Sequence, residues 1–150
     1  MSQQKLLHPF WSYSLVFSQF FWILALLIII QWPISILGHI IQVIAIFIGL
    51  WAVKTMHLGH FNIVPDPLPH LDLVTTGPYR FIRHPMYLSI LLFFAPAAIE
   101  QASSLILAIY AILLTTLILK LLYEEKLLSE KCSDYPEYQQ HTKRLIPFIF

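Results

Sequence analysis

One polar stretch lies between the long apolar segments of this chain: Thr75-Thr76-Gly77-Pro78-Tyr79-Arg80-Phe81-Ile82-Arg83-His84-Pro85-Met86-Tyr87. It holds two arginines, one histidine, two tyrosines and a conformationally rigid Gly-Pro pair. Ionisable side chains are costly this close to hydrocarbon, and they usually mark a functional site. The stretch therefore predicts a site at the ends of apolar helices.

The composition excludes an ordinary soluble domain. Of the 150 residues, 58% are hydrophobic and only 11% are charged, whereas roughly a quarter of the residues of a soluble domain are charged. The mean hydropathy of +0.72 also favours a membrane protein, and we predict a single membrane domain over residues 1–150. The net charge of +1 comes with no basic cluster, so the sequence predicts no nucleic-acid partner. The only cysteine, Cys132, excludes an intrachain disulfide.

Four apolar segments approach the roughly 20 residues that a helix needs to cross a bilayer. They cover about 12–31, 34–53, 84–100 and 103–123. The first follows Lys5 but lacks a small-residue cleavage site, so we expect a retained span and not a signal peptide. His84-Pro85 is expected to open the third helix, because proline is tolerated in a first helical turn. Glu100-Gln101 is expected to be the turn of an antiparallel hairpin.

These segments predict an all-α integral membrane protein with four transmembrane helices, a C-terminal helical hairpin and a cytoplasmic helical tail. Small or polar residues at helical spacing predict close helix packing in a bilayer. In the second span these residues are Gly38, Gln42, Ala45, Gly49 and Ala52. In the fourth span they are Ser104, Ala108, Ala111 and Thr115.

The placement of basic residues predicts the orientation of the chain. Lysines and arginines precede the first span, occupy the segment between spans two and three, and end or follow span four. The turns at Gln31 and Gln101 carry neither. By the positive-inside rule, both termini and the long loop are expected in the cytoplasm. This arrangement brings the Gly77–Tyr87 stretch and the pair Glu124-Glu125 to one membrane face.

The residues gathered at that face suit a particular ligand. Glu124 and Glu125 point about 100 degrees apart on a helix, so one can face a ligand while the other faces water or pairs with a base such as Arg83. Aromatic rings and a histidine in the Gly77–Tyr87 stretch offer flat faces for an adenine or a sulfonium. Together these groups fit S-adenosyl-L-methionine, which carries an ammonium, a carboxylate, a ribose, an adenine and a sulfonium. A plainer interpretation also stands: the arginines anchor a helix end to lipid phosphates, the tyrosines belong to an interface belt, and the acidic pair is a solvated helix exit.

Three sequence blocks follow one another between Gly77 and Pro147. The first is G-x-Y-x-x-x-R-H-P-x-Y, present as Gly77, Tyr79, Arg83, His84, Pro85 and Tyr87. The second is E-E-x-x-L, present as Glu124, Glu125 and Leu128. The third is Y-x-x-Y-x-x-x-T-x-R-L-I-P, present as Tyr135, Tyr138, Thr142, Arg144, Leu145, Ile146 and Pro147. In this order the three blocks resemble the isoprenylcysteine carboxyl methyltransferase family and its relatives among small membrane methyltransferases. The resemblance covers roughly Leu71 to Phe148.

This resemblance implies a multi-pass methyltransferase that binds S-adenosyl-L-methionine at its cytoplasmic face. The positions implied to contact this cofactor are Leu71, Asp72, Leu73, Val74, Tyr79, His84, Pro85, Met86, Tyr87 and Glu124. The candidate catalytic residues are Arg83 and Lys120. The chain has no G-x-G-x-x-G motif, which is the cofactor turn of soluble Rossmann folds.

The methyl acceptor is less well defined. The family often has an arginine at the position of Lys120, where it is associated with the substrate carboxylate; lysine keeps the charge but loses the bidentate fork. Snorkelling of Lys120 to the interface is an equal alternative. The expected acceptor is an amphiphile delivered by the membrane, with a carboxylate as the first candidate and a phospholipid amine or small thiol as alternatives.

Two other classes of function remain open in the sequence. His57-x-x-His60 and His70 allow a membrane metal enzyme, although three scattered histidines are few ligands for such a site; we expect no metal. A small, non-catalytic lipid-binding membrane protein is the second alternative. The sequence predicts no oligomeric state.

Overall fold

The computed structural model describes residues 9–32, 35–60, 73–147 and 149, and within them the chain is helical, without a β-strand element. The helices are α1 (Pro9–Ile29), α2 (Ile36–His60), α3 (Pro85–Gln101), α4 (Ser104–Lys131) and α5 (Tyr135–His141). A 3₁₀ helix, Gly77–Arg80, precedes α3. The predicted all-α architecture is confirmed for this part of the chain, and Pro85 begins α3 as expected.

Three of the described helices are long and apolar enough to cross a membrane: Phe10–Ile29, Ile36–Met56 and Ser104–Lys131. Helix α3 is a shorter apolar helix of 17 residues. At 1.5 Å per residue it is about 26 Å long, slightly less than the roughly 30 Å hydrocarbon core. Three of the four predicted spans therefore correspond to helices long and apolar enough to cross a membrane, and the count of four spans stays a prediction.

The turn of the α3–α4 hairpin lies two residues later than predicted. Glu100 and Gln101 are the last residues of α3, and Ala102 adopts a left-handed conformation with φ 45° while its N–H bonds to the Ala98 carbonyl. A left-handed residue directly after the last turn is a common way for a helix to end. This helix end could not be predicted from the sequence, because the left-handed conformation usually occurs at glycine or asparagine and not at alanine.

The two short turns of the bundle meet at one end. Gln101 accepts from the Gln31 N–H at 3.1 Å and donates to the Gln31 carbonyl at 3.0 Å. Glu100 accepts from the Ser35 hydroxyl at 2.6 Å and from the Ser35 N–H at 2.8 Å. Because both turns share this end, the first residues of α3 and the last residues of α4 lie together at the other end.

Helix α2 packs mainly against α3 through the predicted stripe of small and polar residues. Ala45 and Ala52 are buried, and Gln42 donates to the Phe93 carbonyl at 3.2 Å. A Cβ added to Gly49 would lie 2.9 Å from the Ser89 hydroxyl, so the two backbones approach closely there. The packing role of this stripe is confirmed.

The stripe predicted on α4 is exposed, and a different face of that helix is buried. The core face of α4 is formed by large residues: Ile106, Ile109, Leu113, Thr116, Leu117, Lys120 and Leu121. It packs against α1 and α3, where large aliphatic side chains fill more space than alanines. Polar contacts also join α1 to α4, between Ser18 and Thr116 at 3.2 Å and between Ser12 and Tyr123 at 3.5 Å.

The 3₁₀ helix is pressed against the end of α2 at Gly77. This residue has φ +58°, and a Cβ on it would lie 2.5 Å from the Thr55 hydroxyl and 3.2 Å from Trp51 Nε1. Glycine is required here both for the left-handed backbone and for the close approach. The contact aligns the polar stretch with the bundle end that carries the site.

Candidate functional site

A cavity of about 340 Å³ opens at the bundle end opposite the two short turns. Residues from α1, α2, the 3₁₀ helix, α3 and α4 line it: Gln19, Phe20, Met56, Tyr79, Arg83, His84, Pro85, Met86, Tyr87, Ile90, Lys120, Glu124 and Leu128. Its volume falls in the usual range of small-molecule sites, about 300–1,000 Å³. The polar residues of the lining come chiefly from the two segments that the sequence predicted to meet.

Most of the predicted site residues meet in this cavity. Tyr79, the run from Arg83 to Tyr87, Lys120 and Glu124 all line it. Leu73 and Val74 are half-buried and are not among the residues lining it. Leu71 and Asp72 lie outside the described residues.

Glu124 is the carboxylate that faces the cavity. Its Oε1 accepts a hydrogen bond of 2.5 Å from the Tyr87 hydroxyl, and its Oε2 lies 3.5 Å from His84 Nδ1. The rings of His84 and Tyr87 are parallel, with centroids 5.4 Å apart and an interplanar angle of 1°. The two aromatic side chains of α3 thus orient one acidic side chain of α4 beside a flat surface.

Glu125 points away from the cavity into a cluster of cationic groups. Arg83 Nε donates to its Oε1 at 2.7 Å, and Arg144 Nε donates to its Oε2 at 2.9 Å. His84 Nε2 lies 3.3 Å from the same carboxylate, which is only 4% exposed as a residue. Of the two alternatives predicted for the second carboxylate, water or a base such as Arg83, the structure has the ion pair with Arg83.

The C-terminal tail is fastened to the polar stretch by backbone and side-chain bonds. The N–H groups of Arg83 and His84 donate to the carbonyls of Lys143 and Arg144 at 2.7 and 3.0 Å. Arg83 Nη1 also donates to the Thr142 carbonyl. These contacts join the third sequence block to the first. The tail thereby supports Arg83 and His84, which line the cavity.

Tyr79 provides a neutral phenol on the cavity wall. Its hydroxyl donates to Met56 Sδ at 3.7 Å, and its carbonyl accepts from the Tyr138 hydroxyl at 2.6 Å. Burial, with smaller contributions from Tyr138 and Glu124, raises the pKa of the Tyr79 phenol well above its ordinary value. The phenol therefore stays protonated at neutral pH and serves as a donor or an apolar face.

Lys120 is a buried cation in the transmembrane part of α4. It is 3% exposed, donates to Gln19 Oε1 at 2.8 Å, and lies 5.3 Å from the centroid of the Tyr87 ring. It precedes Glu124 by one helical turn, so both side chains share the cavity face of α4. The bond to Gln19 and the contact with Tyr87 hold Lys120 inside the bundle.

Five lining residues were not among the predicted site residues: Gln19, Phe20, Met56, Ile90 and Leu128. Gln19 carried a usable signal, because it is an amide inside an otherwise apolar span and buried polar groups there need partners. Leu128 carried one as well, because it belongs to the E-E-x-x-L block. Phe20, Met56 and Ile90 carried none, since apolar residues are ordinary in a membrane helix.

The lining fits S-adenosyl-L-methionine by the chemistry of its groups. The Glu124 carboxylate suits an ammonium, and the stacked His84 and Tyr87 rings suit an adenine face or a sulfonium. Met56 and Pro85 complete an apolar wall. A metal site has no such support: among the described residues, no three or more His, Cys, Asp or Glu side chains are placed so that they could hold a metal ion. The side chains of His57, His60 and His70 lie outside the described residues.

A second cavity of about 350 Å³ adjoins the first, and Ile90 lines both. Its lining is apolar apart from one hydroxyl and comes from α1, α2 and α3: Ile23, Leu27, Ala45, Ile46, Gly49, Leu50, Ser89, Ile90, Phe93 and Phe94. These residues lie deeper in the apolar bundle than the polar cavity does. A space suited to hydrocarbon therefore lies beside the polar site.

Comparison with known proteins assigns the family. No curated protein matches the chain. The model of a family described as phospholipid methyltransferase matches residues 33–134, more than half of the chain. The match includes the R-H-P-x-Y block and the acidic pair, and it agrees with the resemblance drawn from those motifs. With its long apolar helices and the cavity at their end, the chain belongs to the phospholipid methyltransferase family, a family of membrane methyltransferases.

Proposed function

We propose that this protein transfers a methyl group from S-adenosyl-L-methionine to an amphiphilic acceptor that enters from the bilayer. One observation carries the proposal: Glu124, His84 and Tyr87 form a polar cavity that adjoins an apolar one at Ile90. A polar methyl donor and an apolar chain can occupy the two spaces side by side. The family match supports the same reaction class.

Each residue of the donor site has a distinct role in this proposal. Glu124 binds the ammonium of the cofactor, with its carboxylate oriented by the Tyr87 hydroxyl. His84 and Tyr87 present their faces to the adenine or the sulfonium. The cofactor supplies an electrophilic methyl group when it is bound. Arg83 holds Glu125 and the tail in place behind the site, and we assign it a positioning role there.

A carboxylate is the first candidate acceptor. It is ionised at neutral pH and needs no general base, so the protein has chiefly to orient it beside the methyl donor. Lys120 is placed to hold such an anion from inside the bundle. Desolvation of the two opposite charges in a water-poor cavity contributes further.

A phospholipid amine is the second candidate, favoured by the description of the matching family. An amine acceptor has to lose a proton, and the base would be His84 or Glu124, both of which line the cavity. The raised pKa of Tyr79 makes its phenol a poor base at neutral pH. In this case Lys120 would face the lipid phosphate.

The orientation that fits this function has the site at the cytoplasmic membrane face. The proposal keeps four spans with both termini in the cytoplasm, on the basis of the lysine and arginine distribution. The cofactor then reaches the cavity from water and the acceptor reaches it from lipid. A reporter fused to the C-terminus and found on the outer side would contradict this orientation.

The test measures binding and transfer separately on the purified protein in detergent or nanodiscs. Calorimetry with S-adenosyl-L-methionine is expected to give saturable binding that Glu124→Ala and His84→Ala weaken by about tenfold or more, as for a lost charged hydrogen bond. Glu130→Ala, an exposed position on the same helix, is the control and is expected to leave binding unchanged. Radiolabel from the cofactor should then appear in a lipid extract.

Two results would count against the proposal. Absence of cofactor binding by the wild-type protein would favour a non-catalytic lipid-binding role. Unchanged binding by both variants would show that the donor site lies elsewhere. The labelled compound, once identified, would choose between a carboxylate and an amine acceptor.

A further inference from the structure

We infer that Glu125, whose carboxylate points away from the cavity, is a positioning residue of the donor site. It fixes the hydrogen of the His84 ring at Nε2 and leaves Nδ1 as an acceptor beside Glu124. His84 Nδ1 and the Glu124 carboxylate then bind the ammonium of the methyl donor together. This inference rests on the proposed function and adds to it a recognition of N–H groups, as distinct from positive charge alone.

The first support is the position of the His84 ring between two carboxylates. Its Nε2 atom lies 3.3 Å from Glu125 Oε1, and its Nδ1 atom lies 3.5 Å from Glu124 Oε2. The two glutamates are adjacent on α4, where successive side chains point about 100 degrees apart. The parallel contact with the Tyr87 ring holds the plane of the imidazole. The His84 side chain is only 7% exposed, so water has little access to either nitrogen.

The second support is that Glu125 can only accept hydrogen bonds. Arg83 Nε and Arg144 Nε donate to its two oxygens at 2.7 and 2.9 Å, and a carboxylate held by two guanidinium groups is ionised. An ionised carboxylate has no hydrogen to donate. From this bonding pattern we assign the hydrogen of a neutral His84 ring to Nε2, which faces Glu125, and the acceptor lone pair to Nδ1.

The charges around Glu125 disfavour a second hydrogen on the His84 ring. Arg83 and Arg144 bring two positive charges to one carboxylate. An imidazolium would add a third cation beside that carboxylate, and like charges repel more strongly where water is excluded. The neutral ring, with a lone pair at Nδ1, is the form that this cluster favours.

The third support is the pair of acceptors that this arrangement leaves in the cavity lining. Glu124 Oε1 accepts from the Tyr87 hydroxyl, whereas Glu124 Oε2 faces His84 Nδ1 at 3.5 Å. Two acceptors that face each other need a donor between them, because a buried lone pair without a donor is costly. A primary ammonium has three N–H groups and can donate to both atoms at once. The sulfonium of the methyl donor has no N–H group, so this part of the cavity selects the ammonium.

The experiment compares two ligands on the full-length protein in nanodiscs. One is S-adenosyl-L-homocysteine, which keeps the ammonium, and the other is its analogue in which hydrogen replaces the amino group. Calorimetry gives both Kd values, and their ratio measures recognition of the ammonium. In the wild type we expect a ratio of about tenfold or more, as for a charge-assisted hydrogen bond. A ratio near one would overturn the inference, although the donor would still bind.

Two variants of His84 separate the roles of its nitrogens. The amide of glutamine reaches the position of Nε2, and the amide of asparagine reaches the position of Nδ1. His84→Gln therefore loses the acceptor beside Glu124, and we expect its ratio to fall about threefold or more. His84→Asn keeps an acceptor there and should keep more of the ratio. A wild-type ratio in His84→Gln would overturn the role of Nδ1 while the donor site at Glu124 stands.

Glu125 is tested by two variants. Glu125→Gln replaces the ionised acceptor by an amide, and Arg83→Met/Glu125→Met removes both members of the buried pair, which costs less stability than removing one. Both variants release the hydrogen from Nε2, so the ratio should fall about threefold or more. A variant that only loosens the fold weakens both ligands alike and leaves the ratio unchanged.

The matched control for these variants is Glu130→Gln, because Glu130 is an exposed glutamate of the same helix. It should keep the wild-type ratio. Melting temperatures show which variants are folded. A wild-type ratio in a folded Glu125 variant would overturn the positioning role of Glu125.

A measurement on the wild type decides the inference even if the Glu125 variants fail to fold. In protein with ¹⁵N-labelled histidine and bound S-adenosyl-L-homocysteine, the two nitrogens of a neutral ring give separate signals, and those missing from His84→Gln belong to His84. We expect hydrogen at Nε2 and a lone pair at Nδ1. Hydrogen at Nδ1, or at both nitrogens, would overturn the inference. A wild-type protein that binds neither S-adenosyl-L-methionine nor S-adenosyl-L-homocysteine would overturn the proposed function and this inference with it.

Discussion

The hydroxyl of Tyr87 donates a 2.5 Å hydrogen bond to the carboxylate of Glu124, from the first turn of α3 to the cavity face of α4. The two residues are 37 positions apart in sequence, and the helical hairpin brings them together. The bond fixes the carboxylate that we propose for the cofactor ammonium. The neighbouring Glu125 has a different task, because its oxygens are bound to Arg83 and Arg144.

Tyr87→Phe should weaken cofactor binding less than Glu124→Gln does, because the ring face remains while the orienting bond is lost. We expect about 1 kcal/mol for the lost neutral donor and about 1.5–3 kcal/mol for the lost charge. The double variant should lose less than the sum, since the two residues act as a unit. Calorimetry on the four proteins measures the coupling, and strict additivity would show that the two side chains bind independently.

Glu125→Gln should destabilise the fold by about 3–5 kcal/mol, because it leaves the buried Arg83 guanidinium without its counter-ion. The side chains of Glu125 and Arg83 are only 5% and 8% exposed. Arg144→Gln should cost less, about 0–1 kcal/mol, because the Arg144 side chain is 37% exposed. Thermal unfolding in detergent measures both; equal losses would mean that burial does not decide the strength of this cluster.

Gly77→Ala should destabilise the protein by about 2 kcal/mol or more, through the left-handed backbone and through the contact with Thr55. Adding Thr55→Ala should recover only part of the loss. It removes the Thr55 hydroxyl that lies 2.5 Å from the added Cβ, but it leaves the backbone strain at residue 77, where φ is +58°. Gly49→Ala is the comparison: it meets the Ser89 hydroxyl at 2.9 Å without a positive φ. Full recovery in the double variant would mean that backbone strain is negligible.

Tyr135→Phe and Tyr138→Phe should change stability in opposite directions. The Tyr135 hydroxyl is buried without a hydrogen-bond partner among the described residues, so its removal should be neutral or stabilising by about 1 kcal/mol. Tyr138 donates to the Tyr79 carbonyl at 2.6 Å, and its removal should cost about 1 kcal/mol. Melting temperatures of the two variants and the wild type at neutral pH, where an ordinary tyrosine is protonated, test this prediction.

Alkaline pH should enlarge the advantage of Tyr135→Phe. Burial raises the pKa of Tyr135 above that of an unfolded phenol, which is about 10. The unfolded chain therefore loses this proton first, so the stability present below about pH 10 is lost as the pH rises toward the folded pKa. The wild-type melting temperature should fall above that pH, and more steeply than that of Tyr135→Phe; parallel curves would contradict the assignment.

The sequence alone determined the class of the protein, the approximate position of its apolar helices and the two segments that form the site. Local features of the sequence are enough for these three results. A long apolar segment predicts a membrane helix, Pro85 begins α3, and a short connection makes α3 and α4 an antiparallel hairpin. Because Tyr87 and Glu124 lie at the open end of that hairpin, their proximity followed from spacing.

The tertiary structure decided which face of each helix is buried and which faces the cavity, because the rotation of a helix about its axis depends on packing between distant segments. It turned Glu124 to the cavity and Glu125 to Arg83, buried the large face of α4 in place of its small stripe, and brought the tail against Arg83. It also placed Gln19 of α1 beside Lys120, 101 positions away. No local pattern specifies such a pairing, since it exists only when α1 and α4 pack side by side.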